Sequence, residues 1–151
     1  MVERTQTRTG LFIGGETRQT EDVFPVHDPA DPDTVVGEAA AANTEEARAA
    51  VRAAHDAFPA WQELGPHRRA ELAVAALAGL EEDHDARAEL LSRENGKVKG
   101  ECDIDLHVMA GRFRLAADMA DDVAAVRTLE GPPLHTKIER LPLGVVSIIV
   151  P

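Results

Sequence analysis

The chain opens with short apolar runs separated by turn-forming residues, a pattern typical of a small strand-and-turn unit. Residues 11–13 (LFI) precede two glycines and predict a strand that enters a tight turn. Residues 23–26 predict a second extended piece, in which a proline disfavours a central strand. Residues 27–33 contain two X-Pro steps that keep the chain out of a helix. Residues 1–10 are polar and without periodicity, so we expect a flexible arm there.

The apolar residues of the next segment recur at helical spacing and predict a first helix. Asn43 or Thr44 can cap its N-terminus, where Glu45 and Glu46 would interact favourably with the helix dipole. Pro59 is predicted to end this helix, because proline removes a helical hydrogen bond. The face predicted to be buried carries Ala47, Ala50, Val51, Ala54 and Phe58.

Three further helices are predicted downstream, so that the chain is mostly helical. Pro66 suits the first turn of the second helix. The third helix starts near residues 83–85 and ends at Gly96, a residue type that readily adopts the left-handed conformation found at helix C-termini. The fourth helix is predicted over residues 101–123.

The last part of the chain predicts a loop followed by a β-hairpin. Residues 128–135 are rich in turn-forming residues and predict the loop. Residues 137–141 alternate between polar and apolar types, as an exposed strand does. Residues 145–150 form an almost continuous β-branched run, which is typical of a strand buried on both faces. Such a strand needs neighbours, and a lone hairpin is only marginally stable, so we expect this strand to be incompletely partnered.

Composition restricts the classes of partner. The chain has 151 residues and a formal net charge of −11, which argues against nucleic acid and against anionic membrane surfaces as partners. The sequence contains no run of about 18 apolar residues, and its start lacks the apolar region of a signal peptide. A single cysteine fits a reducing compartment. We therefore expect a cytoplasmic protein.

The charged residues also suggest an environment. Lysine accounts for only three of the basic residues, Lys97, Lys99 and Lys137, and the acidic residues are dispersed along the chain. A dispersed acidic surface with few lysines indicates a protein kept soluble at high salt, which is the halophilic interpretation. An ordinary acidic protein from a GC-rich gene explains the same composition equally well.

No group of side chains has the spacing of a catalytic or metal site. Cys102 lies between two carboxylate residues, which disfavour its thiolate, and is predicted to be structural. His84 lies between two aspartates that could hold a metal weakly, although a solvated helix junction is the expected arrangement. Trp61 is predicted to anchor the core rather than to stack on a ligand.

Seven short segments share their order and wording with motifs of one known family. They are LFIGGE (11–16), DPA (28–30), AAHDAFPAW (53–61) with the helix that follows, ENGK (94–97), residues 113–121, RLPLGVV (140–146) and IVP (149–151). Together they cover residues 11–151 and resemble the N-terminal part of the aldehyde dehydrogenase superfamily. The chain departs from that pattern at Asp28, Val98, Leu115, Ala116 and Asp118. In the family, the helix that corresponds to Leu115, Ala116 and Asp118 borders the substrate tunnel. The departures at these positions therefore leave the identity of the aldehyde open.

The resemblance implies an α/β, aldehyde dehydrogenase-like fold, present here as an incomplete N-terminal piece. It implies that residues 11–135 form the N-terminal helical part of a cofactor-binding domain and residues 136–151 the truncated strands of a bridging hairpin. Members of the family oxidise an aldehyde to a carboxylic acid with NAD or NADP, using a catalytic Cys, a Glu and an oxyanion Asn that this chain lacks. Only Ile149, Val150 and Pro151 match positions that touch the cofactor.

We therefore expect no catalytic residue, no metal site and no bound cofactor in this chain alone, which would be inactive by itself. The partners expected are a small aldehyde in the complete enzyme and either a second copy or a complementing dehydrogenase chain. Two other interpretations stay open. One is a non-catalytic interaction module that docks on a complete homologue or a separately encoded remainder, and the other is an independent four-helix protein.

Overall fold

The computed structural model describes residues 7–131 and 134–150, so Pro151 and residues 1–6 of the predicted arm lie outside it. Five short strands come first: β1 (Thr7–Thr9), β2 (Leu11–Ile13), β3 (Glu16–Arg18), β4 (Val23–Asp28) and β5 (Asp31–Ala40). Five helices follow: α1 (Thr44–Glu63), α2 (Gly65–Glu81), α3 (His84–Asn95), α4 (Lys99–Asp118) and α5 (Ala120–Ala124). A hairpin of β6 (Arg127–Gly131) and β7 (Leu134–Ile138) comes next. The predicted mostly helical class, with short N-terminal strands and a C-terminal hairpin, is confirmed.

The N-terminal strands form a three-stranded sheet and a separate hairpin. In the sheet, β5 pairs in parallel with β1 and antiparallel with β4, while β2 and β3 pair with each other. Pro25 lies in β4, an edge strand, where its missing amide hydrogen is tolerated. Residues 7–9, predicted to belong to the arm, form β1 instead, because their backbone pairs with residues 37–39. The Arg8 Nη2 also donates to the Thr20 carbonyl oxygen at 2.9 Å.

Helix α1 begins as predicted and ends later than predicted. The Asn43 side chain accepts a hydrogen bond from the Glu46 amide at 3.0 Å, and the Glu46 carboxylate accepts one from the Asn43 amide at 2.7 Å. This reciprocal capping box fixes the first turn. The helix continues through Pro59 to Glu63, so the predicted end at Pro59 is wrong. The Arg69 guanidinium binds the Trp61 and Gln62 carbonyl oxygens, at 3.4 and 3.2 Å, and thereby satisfies the end of this extra turn.

The apolar stripe of α1 is not buried, which contradicts the prediction. None of the described residues of α1 falls in the buried class, and Val51, at the middle of the stripe, is 59% exposed. Among the described elements α1 packs chiefly against β2 and α2, and this packing buries none of its residues.

The core lies where α2, α3 and α4 pack together. Leu77, Ala88 and Cys102 are almost completely removed from solvent there. Helix α3 ends at Gly96 in the predicted left-handed conformation, with φ +77°. The predicted fourth helix is divided into α4 and α5, because Met119 departs from helical geometry between them and Ala120 is buried. The described chain therefore contains five helices where four were expected.

The C-terminal hairpin uses different residues from those predicted. The expected loop at 128–135 instead contributes to β6 and β7, whose register pairs Arg127 with Ile138. The expected strand at 145–150 has no regular structure. A β-branched run forms a strand only beside another strand, and no described segment lies in that position. None of the described helices combines the length and apolar composition that a bilayer span requires.

Candidate functional site

Two of the sequence segments that carry the family resemblance meet at one corner of the structure. The Asp28 carboxylate lies 3.6 Å from the Arg93 Nε and accepts a hydrogen bond from the Ala30 amide at 3.0 Å. A β-carbon built on Gly96 would lie 3.2 Å from the Pro29 Cβ. The DPA turn therefore packs directly against the ENGK end of α3, and both motifs serve to join the sheet to the helices.

The same corner buries the only thiol of the chain. The Lys97 carbonyl oxygen accepts a hydrogen bond from the Ser92 hydroxyl at 2.6 Å, and the Cys102 Sγ lies 3.9 Å from it. The Lys97 ammonium forms a hydrogen-bonded ion pair with Asp105, which raises the pKa of Lys97 above its ordinary value. Cys102 is fully buried, so a substrate cannot reach the sulfur. This burial agrees with the structural role predicted for it.

His84 lies in a packed cluster rather than at the solvated junction that we expected. Its ring contacts the edge of the His107 ring, with 4.7 Å between centroids, and its Nε2 lies 3.4 Å from an Asp103 carboxylate oxygen. His107 in turn donates through Nδ1 to the Asp103 carbonyl oxygen at 2.8 Å. Over residues 7–131 and 134–150, no three histidine, cysteine or acidic side chains are arranged to hold a metal ion.

An apolar concavity lined by two aromatic residues lies between α2 and the α4–α5 pair. We call it the aromatic groove, and its volume is about 490 Å³. Trp61 and Phe113 line it together with alanines of α2, α4 and α5. Its charged lining residues are Arg69 and Arg112. Trp61 is 45% exposed at this rim, so its predicted role as a core anchor is wrong.

A second concavity of about 520 Å³, the adjoining groove, continues the first. The two grooves share Pro66, Arg69 and Val123 as lining residues. Residues 139–142 form the other side of the adjoining groove. The Arg140 guanidinium donates to the Asp122 carbonyl oxygen at 2.6 Å and so fastens this stretch to α5.

The predicted cofactor-contacting residues lie apart from both grooves. Ile149 is 94% exposed and Val150 is also exposed, both in the irregular C-terminal stretch, and Pro151 is outside the described residues. Neither residue lines either groove. Their role in cofactor binding stays a prediction. The sequence analysis did not predict the grooves, for which the available signal was the alanine-rich composition of α2 and α4.

Sequence comparison relates the chain to one family. The sequence model of the aldehyde dehydrogenase family matches residues 16–151. Mitochondrial succinate-semialdehyde dehydrogenase from Rattus norvegicus is 31% identical over 151 residues, which cover 95% of this chain and 28% of that protein. The 1-pyrroline-5-carboxylate dehydrogenase of Geobacillus thermodenitrificans is 32% identical over 159 residues, covering 99% of this chain and 30% of that protein. The chain thus spans less than a third of the length of these relatives.

Solved structures show the same relationship. A protein from Sinorhizobium meliloti, designated a methylmalonate-semialdehyde dehydrogenase and solved with NAD, superposes with a TM-score of 0.80 at 27% identity over 94% of this chain and 29% of that chain. A salicylaldehyde dehydrogenase from Pseudomonas putida, solved with salicylaldehyde, gives a TM-score of 0.77 at 26% identity over 84% of this chain and 26% of that chain. The fold described above therefore matches a little over a quarter of each of these chains.

Proposed function

Because the chain belongs to the aldehyde dehydrogenase family, we propose that it is the N-terminal part of an enzyme that oxidises an aldehyde to a carboxylic acid with NAD or NADP. One observation carries the proposal. The family match extends over residues 16–151, and within that range the DPA turn and the ENGK corner pack against each other through Asp28, Arg93 and Gly96. Two motifs that are distant in the sequence thus form one contact between the N-terminal sheet and α3.

The chemistry of such an oxidation needs a nucleophile, a base and donors for the developing oxyanion. The described residues supply none of these as an assembled group, since Cys102 is buried and packed against a carbonyl oxygen. The contribution we assign to this chain is structural. Helices α2 to α4 pack together, and the close approach of Pro29 to Gly96 joins the N-terminal sheet to these helices.

The residues present do not by themselves make a nicotinamide cofactor site. Ile149, Val150 and Pro151 could offer apolar and backbone contact, but residues 141–150 contain no cationic side chain that would hold a phosphate. We therefore derive no step through the cofactor. NAD or NADP would be held chiefly by parts of a complete family enzyme that this chain lacks.

The test is an activity measurement on the purified 151-residue protein. With a panel of aliphatic, aromatic and carboxylate-bearing aldehydes, we expect no formation of NADH or NADPH. A Cys102→Ser variant is the matched control, because it removes the only thiol. Aldehyde-dependent reduction by the original chain that disappears in Cys102→Ser would identify Cys102 as a nucleophile and overturn the proposal that this chain is inactive alone.

A second function is favoured by the exposed apolar residues near the C-terminus. Leu143 is 96% exposed, and residues 145–150 lack a strand partner in the described part of the chain. We propose as the alternative that the chain is a non-catalytic module that docks on a complete homologue or on a separately encoded remainder. Stoichiometric co-purification with such a dehydrogenase chain would support this function. Separate elution of the two proteins, with this chain as a monodisperse monomer, would contradict it.

A further inference from the structure

Asn95 and Gly96, at the end of α3, form the only asparagine–glycine step of the chain, which we call the labile pair. An asparagine side chain can react with the amide nitrogen of the residue that follows it, and a glycine there places no side chain in the way. Both residues are exposed, so water reaches them. The chain offers an internal comparison, since its one other asparagine, Asn43, precedes the β-branched Thr44.

The reaction of the labile pair needs only water. The Gly96 amide nitrogen gives up its proton to solvent and attacks the Asn95 Cγ. The bond from Cγ to Nδ2 breaks, and the side-chain nitrogen takes up a proton from solvent and leaves as ammonia. Water then opens the resulting succinimide ring at either carbonyl carbon. Opening at Cγ gives aspartate, and opening at the main-chain carbonyl carbon gives isoaspartate, in which the main chain runs through Cγ.

The folded end of α3 holds the reacting groups apart from this chemistry. The Gly96 amide donates to the Ser92 carbonyl oxygen at 2.8 Å, which closes the last turn of the helix. The Asn95 Oδ1 accepts a hydrogen bond from the Lys97 amide at 2.8 Å. Ring closure requires the Asn95 backbone to rotate out of its helical conformation, and that rotation breaks the bond from Gly96 to Ser92. The reaction therefore requires local opening of this end of α3.

Contacts with the DPA turn oppose that opening. Pro29 lies so close to Gly96 that a β-carbon there would be 3.2 Å from the Pro29 Cβ. Asp28 and Arg93 form an ion pair at 3.6 Å, and their side chains are only 18% and 25% exposed. The contacts that join the N-terminal sheet to α3 are therefore also those that keep the labile pair closed.

We propose that Asn95 is a deamidation site that is protected while the DPA turn is packed on α3 and reacts when this contact opens, and that its conversion separates the turn from α3 irreversibly. Isoaspartate adds a main-chain atom ahead of Gly96, which moves the left-handed turn away from Pro29. Either product also places a new negative charge beside Glu94 at the C-terminus of α3, where the helix dipole disfavours it. The proposal rests on this contact alone and holds whether or not the chain takes part in aldehyde oxidation.

The test is peptide mapping by mass spectrometry of the full 151-residue chain, incubated in native buffer and in guanidinium chloride at one pH and temperature. In denaturant, Asn95 should deamidate at least about tenfold faster than in native buffer, which corresponds to an opening free energy of about 1.4 kcal/mol or more. It should also react faster there than Asn43, because Thr44 hinders ring closure. Equal rates at Asn95 in the two conditions, or no reaction at Asn95 in denaturant, would overturn the proposal.

Two variants test whether the DPA turn provides the protection. Asp28→Ala removes the ion pair with Arg93 and leaves the labile pair unchanged, so it should accelerate Asn95 deamidation in native buffer by about threefold or more. Glu81→Ala is the matched control, because it removes an ion pair with Arg114 between α2 and α4 and should leave the rate unchanged. Equal rates in Asp28→Ala and the original chain would show that the turn does not protect Asn95.

The consequence of the reaction is measured on its product. Anion exchange separates the deamidated protein from the unmodified chain, because the product carries an additional negative charge. The deamidated protein should unfold at a lower urea concentration, since its DPA turn no longer packs on α3. Equal unfolding midpoints for the two forms would contradict the proposed separation of the turn from the helix.

Discussion

Gly96 is the position at which the structure makes its sharpest steric demand. Its φ of +77° is left-handed, and a β-carbon there would lie 3.2 Å from the Pro29 Cβ and 3.4 Å from the Pro29 Cγ. We expect Gly96→Ala to lower the free energy of unfolding by about 1–2 kcal/mol through the backbone conformation. Crowding of the DPA turn should cost about 1 kcal/mol more. The total is therefore about 2–3 kcal/mol.

Two other glycines separate these contributions. Gly65 also has a positive φ, +71°, but a β-carbon there would meet nothing within 4 Å, so Gly65→Ala should carry only the backbone cost of about 1–2 kcal/mol. Gly79 lies inside α2 with ordinary helical geometry and equally open surroundings. Gly79→Ala should therefore raise the free energy of unfolding by about 0.5–1 kcal/mol.

The assay is urea unfolding of all four proteins, followed by far-ultraviolet circular dichroism at one fixed salt concentration. The expected order of stability is Gly79→Ala, the original chain, Gly65→Ala and then Gly96→Ala. Equal losses at Gly65 and Gly96 would show that the contact with Pro29 contributes nothing. A Gly96→Ala protein as stable as the original chain would refute the whole steric argument.

Three further predictions concern the helix cap, pH and salt. Asn43→Ala should cost about 1 kcal/mol in urea unfolding, and the loss should be no larger in a Glu46→Ala background if the two residues act as one capping box. The hydrogen bond from Lys97 to Asp105 raises the pKa of Lys97 above its ordinary value of 10.5, so the stabilisation is complete below that pH and is lost as the pH rises through the folded-state pKa. Asp105→Asn should abolish this alkaline loss of stability, and a loss that persists in the variant would contradict the prediction. Because the net charge is −11, added KCl should raise the thermal midpoint by screening repulsion, whereas a falling midpoint would contradict the halophilic interpretation that we propose.

The features predicted correctly from the sequence are those that neighbouring residues determine. The cap at Asn43, the proline in the first turn of α2 and the left-handed Gly96 each depend on a few adjacent residues, and all three are confirmed. The errors arise where distant residues decide. Pro59 stays inside α1 while the Arg69 side chain satisfies the carbonyl oxygens beyond it, and residues 7–9 become a strand because β5 lies beside them.

The grooves could not be predicted for the same reason. Trp61 in α1 and Phe113 in α4 are separated by 52 positions in the sequence, and they line one concavity because α1 and α4 both pack against α2. The family resemblance, in contrast, depends on the order of short segments and is confirmed. The strand predicted at residues 145–150 does not form. Its β-branched pattern indicates only a preference for a sheet, and the described chain offers no partner strand.

The absence of buried residues in α1 has a consequence for the motions of the chain. Twenty residues of helix there are stabilised mainly by their own hydrogen bonds, by the capping box and by the grip of Arg69 at the far end. Because no described residue of α1 is buried, α1 can open without exposing the Leu77 and Cys102 core. The amide protons of α1 should therefore exchange with deuterated solvent well before those of α2 to α4, as a cooperative unit that opens and recloses while the remaining helices stay folded.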